Sequence, residues 1–322
     1  MRFQAFFLFK PNLTGFQNGS GLISGIIKAS FLSVLFCSTA FAIPTIQHWQ
    51  TDNGVRVYFV PAPDLPMVDI EVLFDAGSVR DGDKSGIAML TNDLLDEGAG
   101  GYSADKIAET YENLGAEIGF SVDRDMATIS LRSLTDAQLL QPALKMLALL
   151  LMQPDFDKAS LERIKQQMLV SLKYQQQSPG AIVRKAFYRD VFGTHPMANP
   201  SDGTLESVAA LSRDDVKAFH TRYYVAKNAI VAIVGALDRK GAEELTKTIV
   251  AGLPTGELPS TLPPVAALSK AHKRHIDHPS TQTHILMGQP GMARGDPDYF
   301  SLYVGNYILG GSGLVSNLAE EV

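Results

Sequence analysis

The sequence predicts an α+β fold built in layers, and three observations predict it. Short runs with alternating apolar residues come grouped as hairpins, longer runs with helical spacing lie between the groups, and four prolines between Leu253 and Leu268 divide the chain. A doubly wound parallel sheet would instead alternate single strands with helices.

Alternation marks strands at Val55 to Val60 and Val68 to Phe74, then at Ile118 to Val122 and Ala127 to Leu131, each bounded by Gly, Pro or Asp. Helical spacing covers Gly86 to Leu95, Ala104 to Leu114, Asp136 to Met152, Lys158 to Gln175 and Arg213 to Tyr223. A strand at Ala229 to Val234 precedes a helix at Arg239 to Val250. The run LPTGELPSTLPPVAAL then reads as an extended linker, because its prolines forbid a regular helix or a central strand. Residues 43–253 are thereby a first domain, 254–268 the linker and 269–322 the start of a second. Past the linker, Thr281 to Met287 is a strand candidate and Pro297 to Leu309 a helix candidate, followed by Gly310-Gly311-Ser312-Gly313. About 50 residues are too few for an ordinary core, so the second domain reads as cut short, with a sheet that lacks strands.

At the other end, Phe31 to Ala42 is a short apolar run behind Lys28 that closes on Ala40-Phe41-Ala42, the pattern of a secretory signal cut before Ile43. The run falls well short of the ~20 apolar residues of a spanning helix, so no stable membrane insertion is expected after cleavage. A periplasmic destination follows. Residues 1–42 hold three basic residues and no acidic ones, so the mature chain carries 25 basic against 34 acidic side chains, a formal charge of −9. That balance argues against nucleic acid as a partner. Removing Cys37 leaves no thiol for disulfides or for metal ligation.

The helix Gly86 to Leu95, advanced by ~100° per residue, groups Ile87, Leu90, Thr91 and Leu94 toward a core and Met89, Asn92, Asp93 and Asp96 on the opposite face. In the helix from Lys158, Leu161, Ile164, Met168 and Leu172 form the buried stripe, leaving Arg163, Gln166 and Val170 pointing away. Met89 and Val170 are apolar residues on otherwise polar faces. Single exposed apolar side chains are common, however, and alone say little.

The ordered set Asp75-Ala-Gly-Ser-Val-Arg-Asp81, Gly86-Ile-Ala, Leu94-Leu-Asp-Glu-Gly98, Leu114-Gly-Ala116 and Gln153-Pro-Asp-Phe156 resembles the first domain of the pitrilysin/insulinase family of zinc peptidases. His195-Pro-Met-Ala-Asn-Pro200 with Gly203, Tyr223-Tyr224, Asn228 and Gly235 matches the end of that domain, and Gln282, Gly288, Pro290-Gly291, Asp296-Pro-Asp298 and Leu309-Gly-Gly311 the start of the next. The resemblance implies two homologous domains, each an antiparallel sheet packed with helices. Active members carry H-x-x-E-H on the first helix, two histidines one turn apart on the metal and a glutamate as general base. Here those positions are Met89, Asn92 and Asp93, and the family's third ligand falls at Val170. Zinc catalysis wants three nitrogen or oxygen ligands and an open position for water, which this set does not supply. Asn92 cannot take a proton from water as a general base would.

The resemblance therefore implies the fold without the chemistry: no catalytic residue, no metal and no cofactor of its own, where active members use zinc. The expected role is a non-catalytic partner subunit that pairs with an active homologous zinc peptidase and binds peptides or small unfolded proteins. Two other readings share the fold, an active zinc metalloendopeptidase with an unrecognised site and a stand-alone peptide-binding scaffold.

The remaining candidates read more plainly. His272, His275 and His278 invite a metal, but three-residue spacing in an extended segment turns successive side chains to opposite faces. His195 and His220 have no Ser or Cys at a spacing that suggests a triad. Asp96 and Glu97 would diverge by ~100° on a helix and read as a solvated helix end. Gly310, Gly311, Ser312 and Gly313 lack the Lys-Ser/Thr of a phosphate loop, and the family resemblance gives them a substrate-contact role.

Overall fold

The computed structural model describes Thr45–Glu321. The export-signal segment Phe31 to Ala42 lies outside the described residues. From Ile46 onward the chain forms one compact unit.

Its centre is a six-stranded sheet of β1 (Gln47–Gln50), β2 (Arg56–Pro61), β3 (Met67–Phe74), β6 (Glu117–Val122), β7 (Ala127–Leu134) and β8 (Ala229–Gly235). The strand order is β1-β2-β8-β3-β7-β6, and β4 (Gly98–Ala99) pairs with β5 (Tyr102–Ser103) in a separate ribbon. Every central pairing is antiparallel except β2 with β8, which runs parallel in the register Arg56 opposite Ile230. The layered, predominantly antiparallel sheet is the one expected, with that one parallel ladder within it. The cause is chain distance: β8 reaches β2 after a long helical excursion, which is the kind of connection a parallel pair requires.

Period-2 alternation decides the sheet's two faces. Val57 and Phe59, Val68, Ile70, Val72 and Phe74, Ala127, Ile129 and Leu131, and Val231 and Ile233 are all buried on one face. The other face carries Asp69, paired with Arg132 at 2.6 Å, and exposed Glu71. One-sided burial of this kind suits a predominantly antiparallel sheet.

Helices cover the apolar face. In chain order they are α1 (Ile87–Asp93), α2 (Ala104–Leu114), α3 (Ala137–Met152), α4 (Lys158–Gln175), α5 (Pro179–Phe192), α6 (Leu205–Ala210), α7 (Arg213–Tyr223), α8 (Arg239–Val250), α9 (Tyr299–Asn306) and α10 (Asn317–Glu321). Leu140, Leu144, Leu147 and Leu151 of α3 and Leu245 and Ile249 of α8 join the same core cluster as the strands. Side-chain caps start several of these helices: Asp136 on α3, Asp157 on α4, and capping boxes from Thr204 on α6 and Ser212 on α7.

Beyond Leu253 the order changes. Residues 254–298 contain no helix or strand, so the strand expected at Thr281 to Met287 is absent. Alternation alone cannot make a strand without a neighbour to accept its hydrogen bonds, and Ile285 and Met287 stand 82% and 95% exposed. The helix expected at Pro297 to Leu309 forms as α9 and passes into a π-helical turn, Tyr307–Gly311. The proline-rich run is extended but pinned to its neighbours. Ala226 and Lys227 amides donate to the Pro254 and Thr255 carbonyls, Arg80 to the Ser260 carbonyl at 2.7 Å and His195 to that of Pro263 at 2.9 Å. Further along, Arg274 forks onto Asp190 of α5 with two contacts of 2.7 Å.

Candidate functional site

The site begins at the start of α1. Gly86 caps this helix at φ +94°, and a Cβ there would press at 3.2 Å against Gly203 and Val208. Gly203, at φ +80°, would meet the Ser85 carbonyl at 2.7 Å if it carried one. Both positions need glycine so that the 195–204 loop can rest on the helix start. Gly86 has no side chain to cap with, and Asp81 supplies that function, accepting from the Gly86 amide at 2.7 Å and the Ala88 amide at 3.0 Å. Burial pushes the Asp81 carboxyl up to about 7, against the lowering effect of those two amides.

α1 and α4 face each other across a hollow of about 240 Å³ lined by Met89, Asp93, Gln167, Met168, Ser171, Leu172 and Asp202. Two of the positions singled out in the sequence, Met89 and Asp93, thus come together there. Val170 projects from α4 onto the adjoining open face with Gln166 and Tyr174, half exposed. Asn92 does not join them. It was expected on the outward polar face, yet it is fully buried, its Nδ2 donating to the Tyr224 hydroxyl at 3.4 Å while its Oδ1 has no partner among the described residues. The reason is Tyr224, which packs on Phe74 at 4.7 Å between centroids and closes over that side of α1.

Asp93 sits at the end of α1 without compensation. Burial raises its carboxyl, Asp96 and Glu97 raise it further, and it reaches about 6. Asp96 and Glu97 themselves correct an expectation: α1 stops at Asp93, so they lie beyond the helix and are partly buried rather than at a solvated end. Glu97 pairs with Arg163 of α4. Lys165, absent from the sequence expectations, is buried on the same helix and donates to the Ala209 and Leu211 carbonyls at 3.1 and 2.7 Å, closing the C-terminal end of α6. An unexplained lysine inside an apolar stripe was the signal that could have revealed it.

The histidines are held structurally. His220 donates from Nε2 to the Leu151 carbonyl at 3.0 Å, stacks on Tyr224 and meets Phe156 edge-on, and burial lowers it to about 4. His195 bridges Met197 and the linker. His272 lies 3.5 Å from Asp190 and His275 3.0 Å from Asp277, so the spaced histidines make separate contacts. Gly310, Gly311 and Gly313 lie exposed and Ser312 half-buried in and after the π-helical turn, and none of them lines the hollow.

The donor chemistry does not fit a catalytic zinc. A thioether, a buried amide, one carboxylate and a valine stand where two imidazoles and two carboxylates are needed. Among the described residues no group of three or more His, Cys, Asp or Glu is placed to hold a metal ion.

A one-sided sheet covered by helices, with the short α1 set against the long α4, is the layered lobe that the resemblance leads one to expect of a zinc-peptidase-family domain. Two family profiles match the chain, Insulinase (Peptidase family M16) over residues 56–204 and Peptidase M16 inactive domain over 210–322. The chain belongs to the M16 peptidase family. A crystal structure of the peptidase M16 inactive domain from Pseudomonas fluorescens is 40% identical and superposes with a TM-score of 0.82, over 86% of this chain and 67% of that one. The uncharacterized zinc protease YmxG of Bacillus subtilis is 23% identical across 86% of this chain and 66% of its own length. The non-peptidase homolog YmxG of Helicobacter pylori is 25% identical across 80% of this chain and 59% of its own. The chain therefore spans less than two thirds of either curated relative.

Proposed function

We propose that this protein is an exported, non-catalytic M16 subunit that binds peptide and pairs with an active homologue. The observation that carries the reading is the donor set: the fold around α1 and α4 is kept while Met89, Asn92, Asp93 and Val170 lack the ligands and the base of zinc hydrolysis. Peptide binding draws support from β6, an edge strand whose free backbone groups can add a further strand, beside α1. The Gly310 to Gly313 turn is a second contact for peptide in the assembled pair, its glycines allowing close backbone approach. Export to the periplasm rests on the Phe31 to Ala42 segment. Printed names of relatives, non-peptidase homolog and inactive domain, favour loss of catalysis, whereas zinc protease names favour the active alternative.

Purified mature protein, alone and co-expressed with an M16 homologue that retains H-x-x-E-H, decides among these. The expected result is a stable complex with altered cleavage of a quenched fluorescent peptide, and none by this chain alone. Stoichiometric zinc with chelator-sensitive cleavage by the isolated chain would establish the active alternative. Peptide binding without any complex would favour a stand-alone scaffold.

A further inference from the structure

We propose that the hollow between α1 and α4 is a socket for one basic side chain, lysine or arginine, of the bound peptide. Its walls and its charges suit that shape of ligand. Met89, Met168 and Leu172 offer an apolar lining for an aliphatic stem, and Asp93 and Asp202 place carboxylates around the same space of about 240 Å³. A lysine or arginine is long, apolar along its stem and cationic at its tip, which matches a lining of this composition.

Charge complementarity singles out a cation. Among the described residues Asp202 is engaged by neutral groups, the Gln175 amide at 2.5 Å and the Ser201 hydroxyl at 3.2 Å. Arg163, the cation next to this cluster, is drawn onto Glu97. Asp93 then stands in a cluster of carboxylates with Asp96 and Glu97, and no salt bridge joins it among the described residues. A cationic group entering the hollow would relieve that repulsion, whereas a neutral or acidic side chain would leave it or add to it. A bare divalent ion is a poorer match, because two carboxylates and two thioethers do not make a hard-cation site.

This assignment rests on the peptide-binding reading, and one titration separates the two. Fluorescein-labelled ten-residue peptides, identical but for lysine, arginine, norleucine or glutamate at the centre, are titrated by anisotropy at pH 7.5 with the mature protein. Lysine and arginine peptides are expected to bind about tenfold more tightly than norleucine and more tightly still than glutamate. Asp93→Asn and Asp202→Asn, checked for native circular dichroism, are each expected to erase most of that preference while norleucine binding stays within about twofold. Equal binding of lysine and norleucine peptides, or an undiminished preference in both variants, would overturn the socket and leave the peptide-binding reading standing. If none of the four peptides binds, the peptide-binding reading falls and the socket with it.

Discussion

His220 lies under Tyr224 with Nε2 on the Leu151 carbonyl, and burial holds it near 4, well below an unfolded histidine. The stability this neutral ring supports is present above its unfolded value, about 6.5, and is lost as pH falls toward 4. Asp81 has the opposite sign. Its carboxyl is raised to about 7, so the stability linked to its protonated form is present at low pH and lost as pH rises toward 7. Asp93, raised to about 6, adds to the Asp81 direction. Each contributes at most about 1.4 kcal/mol per pH unit in the window where it is shifted. Two raised carboxyls outweigh one lowered histidine, so urea unfolding of wild type is expected to show stability falling as pH rises from 4.5 to 7. His220→Phe should steepen that fall, and Asp81→Asn should nearly flatten the profile. Parallel pH profiles for the two variants would show that these groups do not govern the response.

At the level of elements, one side chain adds hydrogen bonds to the packing of α4 against α6. Lys165 delivers its charge to the Ala209 and Leu211 carbonyls from a nearly dry position, in place of the ordered water an exposed helix end would use. Lys165→Met keeps the stem and leaves those carbonyls without their donor, an expected loss of about 2 kcal/mol in denaturant unfolding. Lys173→Met, on the exposed side of α4, should stay within about 0.5 kcal/mol. A loss at Lys165 no greater than at Lys173 would mean the capping contact contributes nothing. The elements themselves were largely legible, because burial on one face imposes a period: α2, α4, α7 and α8 span the residues their apolar spacing marks. Where the face is not so divided, the signal fades. α5 buries only Ala186 and Val191, although Ser178 and Pro179 are a start signal that could have found it. β1 reads Gln-His-Trp-Gln, an edge strand whose burial alternates but whose residues, all polar except Trp49, carry no apolar alternation to mark it. Asn92 misled for another reason, since its angle around the helix put it on the outward face while an aromatic neighbour covered that side.

The whole molecule has the fold of an M16 lobe, and the proposal that four of its side chains do not support zinc chemistry can be tested apart from that fold. Met89 and Asp93 are one turn apart on α1, and Val170 follows Met168 on the helix that closes the same hollow. Met89→His, Asp93→His and Val170→Glu together are expected to give a chain that retains about one zinc ion through dialysis, measured by plasma emission, because two imidazoles then line the hollow and a carboxylate stands on the adjoining face of α4. That triple variant should still leave peptide uncut, since Asn92 has no basicity to lend to water. Adding Asn92→Glu sets a carboxylate against Tyr224 and Phe74 in place of a neutral amide, and should lower stability by about 1–3 kcal/mol even as it provides the missing base. Zinc retention by the triple variant, with cleavage only after the fourth change, would mean that the loss of activity lies in these four side chains. A triple variant that keeps no more zinc than wild type would place the loss in the spacing of α1 and α4 themselves.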